Sequence, residues 1–139
     1  MKSIKKCLAV MMCFLCVAIL FVGCAYKKYE LVGIVKEGDS EITLIADLDD
    51  ETKEYLSTNY GMNATIDLKS NNEFELEYKL TENGLTLTYT QEGTFELNEK
   101  ENIIIFYTPN SKGEQIASTQ QYLNGKIVYF DGVYFLAFK

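Results

Sequence analysis

Thr65-Ile66-Asp67-Leu68-Lys69-Ser70-Asn71-Asn72-Glu73-Phe74-Glu75-Leu76-Glu77-Tyr78-Lys79 is the stretch that decides the fold. On both sides of Ser70-Asn71-Asn72 the residues alternate between apolar and polar. Period two is the pattern of a half-buried strand, because successive side chains point to opposite faces. A three-residue loop at 70–72 sets Leu68 opposite Phe74 and Ile66 opposite Leu76. One face of the hairpin is then apolar, and the other carries Asp67, Lys69, Glu73, Glu75 and Glu77.

The same signal extends outward. Leu85-Thr86-Leu87-Thr88-Tyr89-Thr90 alternates after Asn83-Gly84. Asn124-Gly125 and Asp131-Gly132 are two-residue hairpin loops, since asparagine, aspartate and glycine accept positive φ at low cost. The first pairs Tyr122 with Ile127. The second pairs Tyr129 with Tyr134 and Ile127 with Leu136. Asn98 to Asn102 is a longer polar turn before Ile103-Ile104-Ile105-Phe106-Tyr107. Strands are expected near 29–35, 63–69, 72–80, 85–91, 93–97, 102–108, 116–123, 126–130 and 133–138. Residues 41–46 are ambiguous, and 91–93 is either a turn or a bend in one long strand.

One helix interrupts the strands near 49–60. Asp49 or Asp50 can cap it, acids in its first turn suit the helix dipole, and Gly61 can close it. It is short, so it must dock on the sheet to be stable. Consecutive hairpins imply an all-β antiparallel meander. About eight short strands leave awkward edges unless the sheet closes into a barrel; a two-sheet sandwich is the alternative.

The first residues have a different character. Lys2, Lys5 and Lys6 precede an uncharged run from Cys7 to Val22. This reads as a secretory signal, shorter than a membrane-spanning helix requires. Phe21-Val22-Gly23-Cys24 resembles a bacterial lipobox, in which the cysteine is lipidated and becomes the mature N-terminus. The expected division is a signal peptide at 1–23, a lipidated N-terminus and tether at 24–28, and one barrel domain at 29–139. Cys7, Cys13 and Cys16 would leave with the signal, so the remaining Cys24 has no partner for an intrachain disulfide. A palmitate-type acyl chain there would anchor the protein to the extracytoplasmic face of the cell membrane.

Composition excludes several function classes. The 139 residues hold 13 lysines, no arginine, no histidine and 20 acids, a net charge of −7. Removing 1–23 leaves ten lysines and a net charge of −10. Such a chain repels phosphate backbones and has no arginine to read bases, so no nucleic acid is expected. Without histidine there is no histidine-based triad or metal site. Asp47, Asp49, Asp50 and Glu51 are dense, but their spacing fails the EF-hand pattern and a helix N-terminus accounts for them. No metal, no cofactor and no catalytic residues are expected.

Tyr29-Glu30-Leu31, Gly93-Thr94-Phe95-Glu96-Leu97 before the apolar 103–107 strand, and Phe138-Lys139 carry a family resemblance. The chain resembles the small lipocalin-like lipoproteins of bacteria, within the calycin barrels. The resemblance implies a barrel of about eight strands. It implies little about ligand.

Alternation puts Tyr78, Tyr89 and Tyr107 on the face of Leu76, Leu87 and Ile105, and the last hairpins add Tyr122, Tyr129 and Tyr134. If that face is the barrel interior, it suits a small amphipathic or hydrophobic ligand. The competing reading is that these tyrosines fill a small barrel. Ile104, Phe106, Val128, Phe130, Val133 and Phe135 alternate away from that interior. Three explanations compete: the helix covers them, they bind a protein partner in the cell envelope, or the choice of inside is reversed for the last hairpin. The expected function is a non-catalytic, membrane-anchored lipoprotein that binds a small ligand, with a protein-interaction module as the alternative.

Overall fold

The computed structural model describes residues 27–39 and 41–139. The signal segment and Cys24 lie outside the described residues. The elements in order are β1 (Lys27–Val35), β2 (Ile42–Leu44), a 3-10 turn (Ile45–Asp47), α1 (Asp50–Tyr60), β3 (Thr65–Leu68), β4 (Glu73–Glu82), β5 (Leu85–Asn98), β6 (Ile103–Pro109), β7 (Gln115–Leu123), β8 (Lys126–Phe130) and β9 (Phe135–Phe138). Every pairing is antiparallel. The meander runs from β3 to β9, and β1 pairs with both of these strands, which closes an eight-strand barrel. The short β2 lies beside the second half of β1. The expected all-β meander, closed with one short helix, is what the chain forms, and there is no sandwich.

Local chemistry sets the corners. The 70–72 loop pairs Leu68 with Phe74 and Ile66 with Leu76, as alternation requires. Asn83-Gly84 and Asn124-Gly125 both have positive φ and join strands that pair Glu82 with Leu85 and Leu123 with Lys126. β5 is one continuous strand of 14 residues. Gly93 sits where β5 meets β6; a Cβ there would lie 2.0 Å from the Tyr107 carbonyl oxygen, so only glycine fits. In β1 the register shifts between Leu31 and Gly33, and both Leu31 and Ile34 are buried.

Two readings of register change. Leu97 pairs with Ile104 and Phe95 with Phe106. Ile104 and Phe106 therefore point inward and are buried, at 0% and 3% exposure. Ile105 and Tyr107 face outward, opposite to the expectation. At the last turn Phe130 pairs with Phe135 and Tyr129 with Leu136. The loop spans Asp131 to Tyr134 instead of two residues, because the Asp131 carboxylate accepts from the Val133 and Tyr134 N–H groups and widens it.

The interior is filled by Ile66, Phe74, Ile104, Phe106, Ile127, Leu136 and Phe138, all buried. Phe74 meets Phe106 edge-on at 4.7 Å between ring centroids. α1 begins at Asp49, whose side chain accepts from the Thr52 N–H at 2.8 Å, and stops at Gly61 in the left-handed conformation. Its Leu56 is wholly buried in the same core. The helix lies at the barrel end that carries the 83–84, 110–114 and 131–134 turns. It does not cover the outer strip: Phe130 is 46% exposed and Val133 60%.

Candidate functional site

The two barrel ends are built differently. At the helix end, Asp131 is the junction. Its Oδ2 accepts from the Tyr55 and Tyr60 hydroxyls at 2.7 and 2.6 Å, and its Oδ1 from the Val133 and Tyr134 N–H groups. Burial alone raises this carboxyl, but the hydrogen bonds from Tyr60, Tyr134, Tyr55 and Val133 outweigh it and hold it below the usual range. Burial, and then the Asp131 carboxylate, push the Tyr55 phenol up to about 12 and the Tyr60 phenol well above its ordinary value. Tyr55 also packs edge-on to Tyr134, and Tyr60 to Tyr78. The arrangement ties the helix to the last hairpin. Its carboxylate is already fully engaged, so it has no free oxygen for chemistry.

The opposite end, formed by Lys27 and the 70–72, 99–102 and 124–125 turns, is open among the described residues. A groove of about 880 Å³ runs there and over the end of the β5–β6 wall, lined by Leu68, Phe95, Leu97 and the rings of Tyr29 and Tyr122, and by Ile103 and Ile105 from the wall's outer face. Lys27, Lys69, Glu96, Glu99 and Glu101 form its polar margin. Inside it the Tyr29 and Tyr122 hydroxyls lie 3.3 Å apart. The Lys27 ammonium sits 4.8 Å from the centre of the Tyr29 ring, a cation–π distance. Burial, and then the bond to Tyr122, raise the Tyr29 phenol well above its ordinary value.

Between the two ends the barrel is packed. The cavity bounded by Phe74, Leu76, Gln91, Phe106 and Tyr129 holds about 20 Å³, room for a water molecule and nothing larger. The six tyrosines singled out from the sequence therefore do not meet in one chamber. Tyr129 borders this small cavity. Tyr122 lines the open groove. Tyr78 stacks on Tyr89 at 5.3 Å on the β4–β5 hairpin. Tyr134 packs on α1. Tyr107 faces outward, where its hydroxyl donates to Glu96 at 3.3 Å; a one-residue change of β5–β6 register reverses every side chain on the strand.

Sequence reasoning missed Tyr29, Tyr60 and Asp131. Tyr29 had a signal, since it opens the first strand on the apolar face. Asp131 had none beyond its place in a turn. The acidic cluster is spent on the helix start, where Asp49 is the cap. No family model, no curated protein and no solved structure matches this chain.

Proposed function

We propose that this protein is a lipocalin-like lipoprotein, anchored through Cys24 to the extracytoplasmic face of the cell membrane, that binds and does not catalyse. Its ligand is a small amphipathic molecule held at the Lys27 end of the barrel. The observation that carries the reading is the open groove there. Its volume lies within the ~300–1,000 Å³ of small-molecule sites, its lining is divided between apolar side chains and polar or charged ones, and two tyrosine hydroxyls stand on its apolar part to orient a ligand. Two residues lie between Cys24 and Lys27, and the three Cα–Cα steps reach at most about 11 Å. An anchor at Cys24 sets the groove close to the membrane surface, where amphipathic molecules concentrate.

The test is extraction. The full chain is purified from membranes and denatured, and the released small molecules are compared by mass spectrometry with those from Leu97→Glu. Leu97 is 37% exposed, so the substitution places a charge in the groove, and circular dichroism checks that the variant folds. A molecule released by the parent chain and absent from the variant supports the reading. Identical extracts from both overturn it. Separately, Cys24→Ala must move the chain from the membrane fraction to the soluble one, or the anchor is wrong.

A second reading, a protein-interaction module, has its own observation. Phe130 and Phe135 stack at 4.6 Å on the outer wall, beside a groove of about 510 Å³ that includes Val133 and Ile34. Phe130→Ser would abolish a partner contact there and leave the extract unchanged.

A further inference from the structure

β4 and β5 stay paired from Glu73–Thr94 to Glu82–Leu85, but their neighbours stop early. β3 leaves β4 at Glu77, and β6 leaves β5 at Thr94. The remainder is a two-stranded ribbon extending beyond the barrel wall. Its two edges differ. The β4 edge is guarded by the end of α1: a Cβ on Gly61 would lie 1.9 Å from the Lys79 carbonyl oxygen, and Tyr60 packs against Tyr78. Among the described residues nothing pairs with the β5 edge. Every residue from Leu85 to Glu92 is exposed.

The Phe95 N–H donates to Asn72, on the β4 side. Strand alternation then directs the N–H and C=O groups of Thr86, Thr88 and Thr90 to the open side. Open edges are normally blunted by lysine, proline or a bulge. Leu85-Thr86-Leu87-Thr88-Tyr89-Thr90-Gln91 has no charge, no proline and no glycine. A two-stranded ribbon is marginal in water, and with α1 supporting only the β4 side a third strand on the β5 side would stabilise it.

We propose that this edge receives an extended segment of a partner protein as an added strand, apolar at alternate positions and cationic at its ends. The alternation matches Leu85, Leu87 and Tyr89, which are 67%, 49% and 42% exposed on one face. The charge follows from the surroundings: Glu82 and Glu92 flank the edge, and on the adjoining β4 strand Glu77 opposite Thr90 and Glu75 opposite Glu92 outnumber the one lysine, Lys79 opposite Thr88. A second copy of the chain is a poorer occupant. It brings the same carboxylates, and antiparallel pairing of identical edges points the two ribbons in opposite directions, against two anchors in one membrane. That last argument alone rests on the anchored reading.

The test titrates the full chain, in detergent, with a labelled eight-residue peptide of alternating valine and threonine bearing a lysine at each end. Thr88→Pro removes one outward N–H and leaves the β4 ladder intact; circular dichroism checks that it folds. Binding by the parent chain, weakened at least tenfold in Thr88→Pro and at least tenfold when glutamate replaces the peptide lysines, supports the proposal. Equal binding by parent and variant, or equal binding of the two peptides, overturns it. A parent chain that dimerises through this edge, with the dimer lost in Thr88→Pro, also overturns it in favour of self-association. The groove reading is untouched by any of these results, because Leu97 lies at the other end of the barrel.

Discussion

Replacing Asp131 should uncouple the helix from the barrel. Four donors converge on its carboxylate: two phenol hydroxyls from α1 and two backbone N–H groups of its own loop. A hydrogen bond to a charged acceptor contributes about 1.5–3 kcal/mol. The two loop amides lie near solvent and recover most of that from water, so the loss is set by the half-buried Tyr55 and Tyr60 hydroxyls. Asp131→Ala should therefore cost about 3–5 kcal/mol, a large share of the roughly 5–15 kcal/mol that holds a domain together. At this chain length that lowers Tm by about 10–20 °C. Asp131→Asn keeps the Oδ1 acceptor and should cost about 1–3 kcal/mol. The two variants also predict a pH dependence. The folded carboxyl titrates below its unfolded value of about 3.9, so its contribution is present above that pH and is lost as pH falls through the folded value. Thermal melts followed by tyrosine circular dichroism at pH 7 and pH 3 are the assay. The gap between parent and Asp131→Asn must narrow at pH 3. A gap that stays constant, or an Asp131→Ala variant melting within about 3 °C of the parent, would refute the junction.

Three other outcomes follow from the same packing. Tyr29, Tyr55 and Tyr60 should ionise above the ordinary phenol range; their contribution is full below pH ~10 and lost as pH rises through the folded values, which phenolate absorbance against pH reads directly. Gly93→Ala should cost about 1–3 kcal/mol or more, because its Cβ meets the Tyr107 carbonyl and, at 2.9 Å, the Phe74 ring; urea midpoints measure it. Leu56→Ala should cost about 2–5 kcal/mol by the same assay, since Leu56 is wholly buried where the helix seals the barrel.

The parts of this fold that could be read from residues share one property: a turn of known length between two segments that each alternate. The 65–79 hairpin and the Asn124-Gly125 hairpin are of this kind, and their registers come out as derived. The β5–β6 junction lacks the property. Ile103 to Tyr107 is apolar throughout, so nothing within it states which residues face inward, and only the length of the 99–102 loop decides. The last hairpin fails differently. A two-residue shift preserves every face, so periodicity cannot separate the two-residue loop from the longer one. What separates them is the Asp131 carboxylate, whose partners on α1 are more than seventy residues away in sequence. The candidate tyrosines suffer from both problems. Tyr107 is turned outward by the first, and Tyr134 is drawn into the loop by the second.

The distribution of polar groups is the reason the proposed binding site is set at the Lys27 end of this barrel. An interior closed by eight strands is just wide enough for side chains to fill it, and here aromatic and branched residues do so, leaving space for one water. The helix end is closed by a carboxylate with all its donors in place. Hydroxyls that stay near a cavity must therefore lie where the packing thins, and Tyr29 and Tyr122 do so at the Lys27 end, each the other's partner. A ligand entering the groove exchanges this weak 3.3 Å contact for its own polar end, and leaves no buried group unsatisfied. Entry at the Asp131 end would instead break four hydrogen bonds to a charge. The cost of opening thus differs by several kcal/mol between the two ends, which is why the proposed ligand site is set at the cheaper one.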